Sequence, residues 1–146
     1  MNPFYWLSLL GGTFIALQAA VNTRLAAGLG NPVVASLVSA SITTISLLLY
    51  CLLAKTAVPG SAAIAQTPWW AWLGGLIGAV YLTIVIISTQ NLGVAAVMVL
   101  IVAAQMVASL LIDHFALTGL PSHPLTVSRI IGVALIIAGV WLVERS

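Results

Sequence analysis

Charge is what this chain has least of. Four of its 146 residues are Lys or Arg and two are Asp or Glu, 4% in all, while 62% are hydrophobic. The mean hydropathy is +1.23. A soluble globule needs a charged or polar skin, and this composition cannot supply one. The chain therefore reads as an integral membrane protein whose main contact is membrane lipid. Cys51 is the sole cysteine, which excludes an intrachain disulfide. Two histidines and two acids add no ligand set for a metal. The few basic residues form no patch, so nucleic acid is not an expected partner. There is no Ser/His/Asp set at plausible depth, no pair of carboxylates at hydrolase spacing and no Gly-rich phosphate loop. Neither an enzyme nor a cofactor is expected. Met1 to Ser8 carry no Lys or Arg, so this stretch reads as a retained helix rather than a cleaved leader.

What remains is long apolar runs. About 20 apolar residues at 1.5 Å each cross a hydrocarbon core of ~30 Å. Five segments reach that length: 4–25, 32–53, 68–89, 93–115 and 125–143. Lipid offers no partner for free backbone N–H and C=O groups, so each should be an α-helix. The expected fold is all-α, a single transmembrane domain over 1–146 with five spans. Asn31-Pro32 and Thr67-Pro68 each place a capping residue before a proline, a helix-start signal. Gly28 and Gly30 close the first loop, Pro59-Gly60-Ser61 open the second, and Asn91 with Gly93 make a tight turn. Gly119, Pro121 and Pro124 mark the fourth loop. Tyr5, Trp6, Tyr50, Trp69, Trp70, Trp72 and Trp141 fall at segment ends, where aromatic belts sit.

Five spans put the two termini on opposite sides. Arg24 and Arg145 then share one side and Lys55 and Arg129 the other. Two against two exerts almost no orienting bias, whichever way the chain is inserted. Dual insertion and antiparallel pairing would follow, and inverted pairs build midplane sites in many transporters. A charge-poor chain that settles on one side from a weak signal fits the same tie.

Polar residues at membrane depth are the functional evidence. Gln18 and Asn22 are four apart on the first segment and share a face, suited to a polar substrate or to gluing another helix. On the fourth segment Gln105, Ser109 and Asp113 follow at i, i+4 steps. Asp113 reads either as a coupling-ion contact at the mouth of a pathway or as a loop-facing carboxylate paired with Arg129 or His114. His114 and His123 are expected in the fourth loop. Gly74, Gly75 and Gly78 on the third segment form a small-residue packing face, with Tyr81 able to present its hydroxyl to a cavity. Gly132 and Gly139, seven apart, read as a packing or dimer seam.

Four stretches carry a family resemblance: ALQAAVNTRLAAGLGNP (Ala16 to Pro32), PWWAWLGGLIGAVY (Pro68 to Tyr81), QMVASLLIDHFALTGLP (Gln105 to Pro121) and RIIGVALIIAGVWL (Arg129 to Leu142). Together they resemble the five-helix YdcZ-type family of the drug/metabolite transporter superfamily. The resemblance implies a half-sized unit of a ten-helix inverted-repeat transporter, an exporter of the bacterial cytoplasmic (inner) membrane, paired antiparallel with itself or with a paralogue. Gln18, Asn22, Arg24, Gly75, Gly78, Tyr81, Gln105, Ser109 and Asp113 match the family's motifs. Three positions depart from them. Ala104 and Ala116 stand where glycines are common, before the fourth-segment glutamine and after the DHF phenylalanine, and Thr43 replaces a third glycine. The expected function is secondary export of a small polar or amphipathic metabolite, bound by Gln18, Asn22, Tyr81, Gln105 and Ser109 and coupled through Asp113. The alternative is a non-transporting scaffold or partner subunit of another integral protein.

Overall fold

The computed structural model describes residues 3–117 and 124–144. Six α-helices are found there: α1 (Pro3–Leu29), α2 (Pro32–Leu53), α3 (Ser61–Gln66), α4 (Gly74–Leu92), α5 (Val94–Phe115) and α6 (Val127–Glu144). A 3-10 turn, Trp69–Leu73, leads into α4, and no strand occurs among the described residues. Four stretches are long and apolar enough to cross a membrane: Pro3–Leu29, Pro32–Leu53, Trp69–Leu92 and Val94–Phe115. The expected fifth is a shorter apolar helix, Val127–Val143. Its 17 residues rise about 26 Å, just under a ~30 Å core. Gly119, Pro121, His123 and Arg145 lie outside the described residues.

The chain divides into two compact units, Met1–Asn91 and Leu92–Ser146. In the first, Gly30 at φ +69 ends α1 and Asn31 starts α2. The Asn31 Oδ1 accepts the N–H of Val33 at 2.8 Å and of Val34 at 3.2 Å. These are two of the donors that the first turn leaves free, and Pro32 at the first helical position has none to lose. The two-residue link folds α2 back antiparallel to α1. Thr67-Pro68 behaves otherwise. Thr67 Oγ1 donates back to the Ala63 carbonyl at 2.9 Å, Pro68 stays extended, and the turn that follows has no side-chain cap. The hydroxyl is spent on the preceding short helix, which the sequence did not announce.

Small residues let α1, α2 and α4 approach. Ala26, Ala35 and Ile86 form the buried cluster, with Leu25 and Leu82 against it. Ser36 Oγ donates to the Pro32 carbonyl at 2.9 Å and lies 3.0 Å from Thr83 Oγ1 on α4. Thr83 has one hydrogen to divide between Ser36 and the Ala79 carbonyl at 2.9 Å. Most large apolar side chains are exposed, as expected where the solvent is hydrocarbon.

In the second unit α5 packs against α6. Gly93 at φ +81 precedes α5, and Ala116 closes it in the left-handed region at φ 48, ψ 38. The N–H of Arg129 reaches Thr126 Oγ1 at 3.3 Å, a start signal for α6 that the sequence reading passed over.

Candidate functional site

The informative side chains of the first unit are those that bury a polar atom and leave it unpartnered. Among the described residues these are Asn22 Nδ2, Tyr81 OH and Thr89 Oγ1. The buried face of α1 is Ala19, Asn22 and Ala26, and Asn22 is only 4% exposed. An amide in a helix can satisfy itself locally. Asn91 does so, giving its Nδ2 to the Ile87 carbonyl four residues back at 2.7 Å. Asn22 makes no such bond, so its donor is held for something else. An unmet buried donor costs on the order of 1–3 kcal/mol.

Gln18, expected beside it, is exposed. It precedes Ala19, about 100° around the helix, and so falls off the edge of the buried stripe that holds Asn22. The i, i+4 spacing was right and the face was split. Tyr81 sits in the middle of the Trp69–Leu92 span. It lines an open cavity of about 420 Å³ with Leu76, Ile77, Val80 and Ile84, all residues of α4. The lining is apolar throughout, because the Tyr81 hydroxyl is buried away from the open space and has no partner. Thr89 did not stand out in sequence, where one threonine in an apolar helix looks like any other.

The expected stripe on α5 resolves into three different situations. Gln105 is exposed, with no hydrogen-bond partner among the described residues. Ser109 is exposed and gives its hydroxyl to the Met106 carbonyl at 3.0 Å. Asp113 faces Arg129 of α6, with Oδ2 to Nη1 at 3.5 Å. Both partners are more than a third exposed, so the pair ties the α5–α6 hairpin weakly. His114 belongs to the last turn of α5 rather than to a loop, and its ring meets that of Phe115 edge-on at 4.8 Å. Arg24 lies within α1, five residues before its end.

A Cβ built at Gly74, Gly75, Gly78, Gly132 or Gly139 would meet no atom within 4 Å. No neighbour within its own unit holds any of these positions to glycine; the buried faces carry Ala26, Ala35 and Ser36 in the first unit and Val97, Val133 and Val140 in the second. No group of three or more potential metal-ligating side chains exists among the described residues.

The family described as "Putative inner membrane exporter, YdcZ" matches residues 4–142. The chain belongs to the YdcZ family. It is 33% identical over 82 residues to "Inner membrane protein YdcZ" of Escherichia coli (strain K12), covering 56% of this chain and 54% of that protein. The matched region thus spans about half the length of that relative. No solved structure is similar. Membership fits the apolar helices above and places a multi-pass protein in the inner membrane. The YdcZ family is described as one of exporters rather than of enzymes. One position that the resemblance above marks as a departure has a backbone peculiarity. Ala116 occupies a left-handed backbone position, so glycine there relieves conformation rather than packing.

Proposed function

We propose that the protein is a small secondary transporter, an exporter of a small polar or amphipathic metabolite, in which Asn22 and Tyr81 bind the solute. The observation that carries this is the Asn22 amide, 4% exposed, its Nδ2 without a partner in a spanning helix. Lipid cannot satisfy that donor. A passing solute with a hydrogen-bond-accepting oxygen can. The binding groups are neutral, which favours an uncharged or weakly polar solute.

The working form in this reading is a five-span chain paired antiparallel with a second copy or a paralogue. The balanced basic residues support it. So do the exposed amides of Gln18 and Gln105, each of which needs cover from outside its own unit at membrane depth. Gly74, Gly78, Gly132 and Gly139, free of neighbours within their own units, would form the seam. Gln105 and Ser109 would then meet the solute from the partner side, and Asp113, paired with Arg129, would be the coupling-ion contact. The same exposed faces suit a non-transporting subunit docked on another integral protein, and flux separates the two. Efflux of a panel of labelled uncharged metabolites from proteoliposomes should be selective for at least one solute. Asn22→Leu should reduce that efflux about tenfold, the equivalent of 1.4 kcal/mol of lost interaction, at equal reconstitution. Wild-type efflux in that variant would take Asn22 out of the pathway, and no efflux of any solute would favour the docking subunit.

A further inference from the structure

Ser8, Thr13, Thr23, Ser36, Ser41, Thr43, Thr44 and Thr83 each donate to the carbonyl four residues earlier in their own helix. That is how a membrane helix hides a hydroxyl. Thr89 is 4% exposed and makes no such bond, and its Oγ1 is buried without a partner. Among the described helix hydroxyls Ser39, Ser46 and Ser88 also make no bond to their own backbone, but Thr89 is the one of these that is buried. A threonine that declines its own backbone inside an apolar helix is positioned for another acceptor or donor.

The register of the first unit shows where it stands. The turn at Gly30-Asn31 makes α2 antiparallel to α1. Ser36 meets Thr83, while Ala40 and Ala79 line a common cavity further along, so α4 is antiparallel to α2 and parallel to α1. The level at which all three helices meet is Ala26, Ala35 and Ile86. Asn22 lies four residues before Ala26 and Tyr81 five before Ile86, roughly 6 and 7.5 Å to the midplane side at 1.5 Å per residue. Thr89 lies three residues beyond Ile86, about 4.5 Å to the other side, towards the α1–α2 turn. Between the two polar levels stand the most completely buried side chains of the unit: Ala35 and Ile86 at 0% and Ala26 at 1%. Ile86 is the only large one among them. Two alanines leave the closure of this level to a single isoleucine.

We propose that Ile86, seated on Ala26 and Ala35, is an apolar gate, and that Thr89 is a second polar contact on its turn side. The ligand is a small uncharged solute with hydrogen-bonding oxygens, passed between Thr89 and the Asn22–Tyr81 level. This rests on the transport reading given above and adds to it the step between the two levels. An apolar constriction of this kind holds back water and polar solutes until the side chain moves. The three contacts are neutral, so the gate passes hydroxyl- or carbonyl-bearing solutes without burying a charge.

The test uses single cysteines in a Cys51→Ala background, with the full chain in lipid nanodiscs, where the reagent reaches both faces. The probe is an ammonium-bearing methanethiosulfonate, whose sulfenyl sulfur a thiolate in water attacks to form a mixed disulfide, with methanesulfinate leaving. Thr89→Cys should react at a rate that does not depend on the residue at 86, as water enters from the turn side when the helices open. Asn22→Cys should react at least about tenfold more slowly, as expected where a closure of some 1.4 kcal/mol intervenes. Adding Ile86→Ala should bring its rate close to that of Thr89→Cys, and Ile86→Val, which removes only one methyl group, should give an intermediate rate if the alanine variant does not assemble. An unreactive Thr89→Cys overturns the proposal, because no water then reaches that side. So does an Asn22→Cys rate that is already fast with Ile86 present, or one indifferent to both substitutions. Efflux from proteoliposomes separates this from the transport reading. The labelling pattern without flux leaves a gated water-filled site and ends the transporter, whereas flux without the pattern ends the gate.

Discussion

Replacing Ala116 with glycine should stabilise this protein, although it removes a side chain. Ala116 is the last residue of the α5 turn, at φ 48 and ψ 38, with its N–H bonded to the Ile112 carbonyl. A left-handed conformation costs a residue with a Cβ about 1–2 kcal/mol, because the methyl group crowds the following carbonyl. Glycine escapes that strain but gives back roughly 0.4–1 kcal/mol through the larger freedom of its unfolded chain. The net expectation is a gain of about 0–1.6 kcal/mol, centred near 0.8. The control lies in the same helix. Ala104 is exposed in the α5 interior, where glycine carries only the entropic penalty, a loss of roughly 0.5–1 kcal/mol. Thermal unfolding of the two variants in detergent micelles should therefore move in opposite directions. A chain of this size shifts on the order of 2–4 °C per kcal/mol. A lower melting temperature for Ala116→Gly would refute the reasoning, since the chain could not then leave α5 through a left-handed residue. Equal shifts of one sign would show that glycine acts generally and not through backbone geometry.

Two further expectations follow from local contacts. Asn31→Ala removes the acceptor for the Val33 and Val34 amides, and should lower stability by about 1–2 kcal/mol in the same melting assay, while Asn31→Asp or Asn31→Ser should recover most of it. A double-mutant cycle of Asp113→Asn and Arg129→Gln should give a coupling below about 1 kcal/mol, because both side chains are more than a third exposed; a coupling of several kcal/mol would mean the pair is far better shielded than this geometry allows.

How far the sequence reached depends on the kind of evidence each residue offered. Apolar length and the near absence of charge were enough for membrane spans, because lipid leaves backbone groups no partner outside the helix. Asn31-Pro32 was legible as a start because capping is decided within three residues. Thr67-Pro68 carried the same signal and failed, since an unannounced helix before it claimed the hydroxyl. Ala116 looked like a packing departure, and only the backbone angle made it a conformational one.

The site divides along the same line. Sequence by itself determined that this is a helical membrane protein of low charge bias, with amides at depth on α1 and α5, since composition and i, i+4 spacing are properties of the chain. Only tertiary structure decided which of those amides is buried. Gln18 and Asn22 share a stripe by spacing, yet helix rotation turns one out and the other in. Asp113 could pair or couple by its position, and α6 brings Arg129 to it. Thr89 and Ile86 carry no local mark at all. One becomes notable because its hydroxyl is buried without a partner, the other because two small side chains from α1 and α2 meet it. Both are facts about neighbours from distant parts of the chain, which spacing along one helix cannot encode.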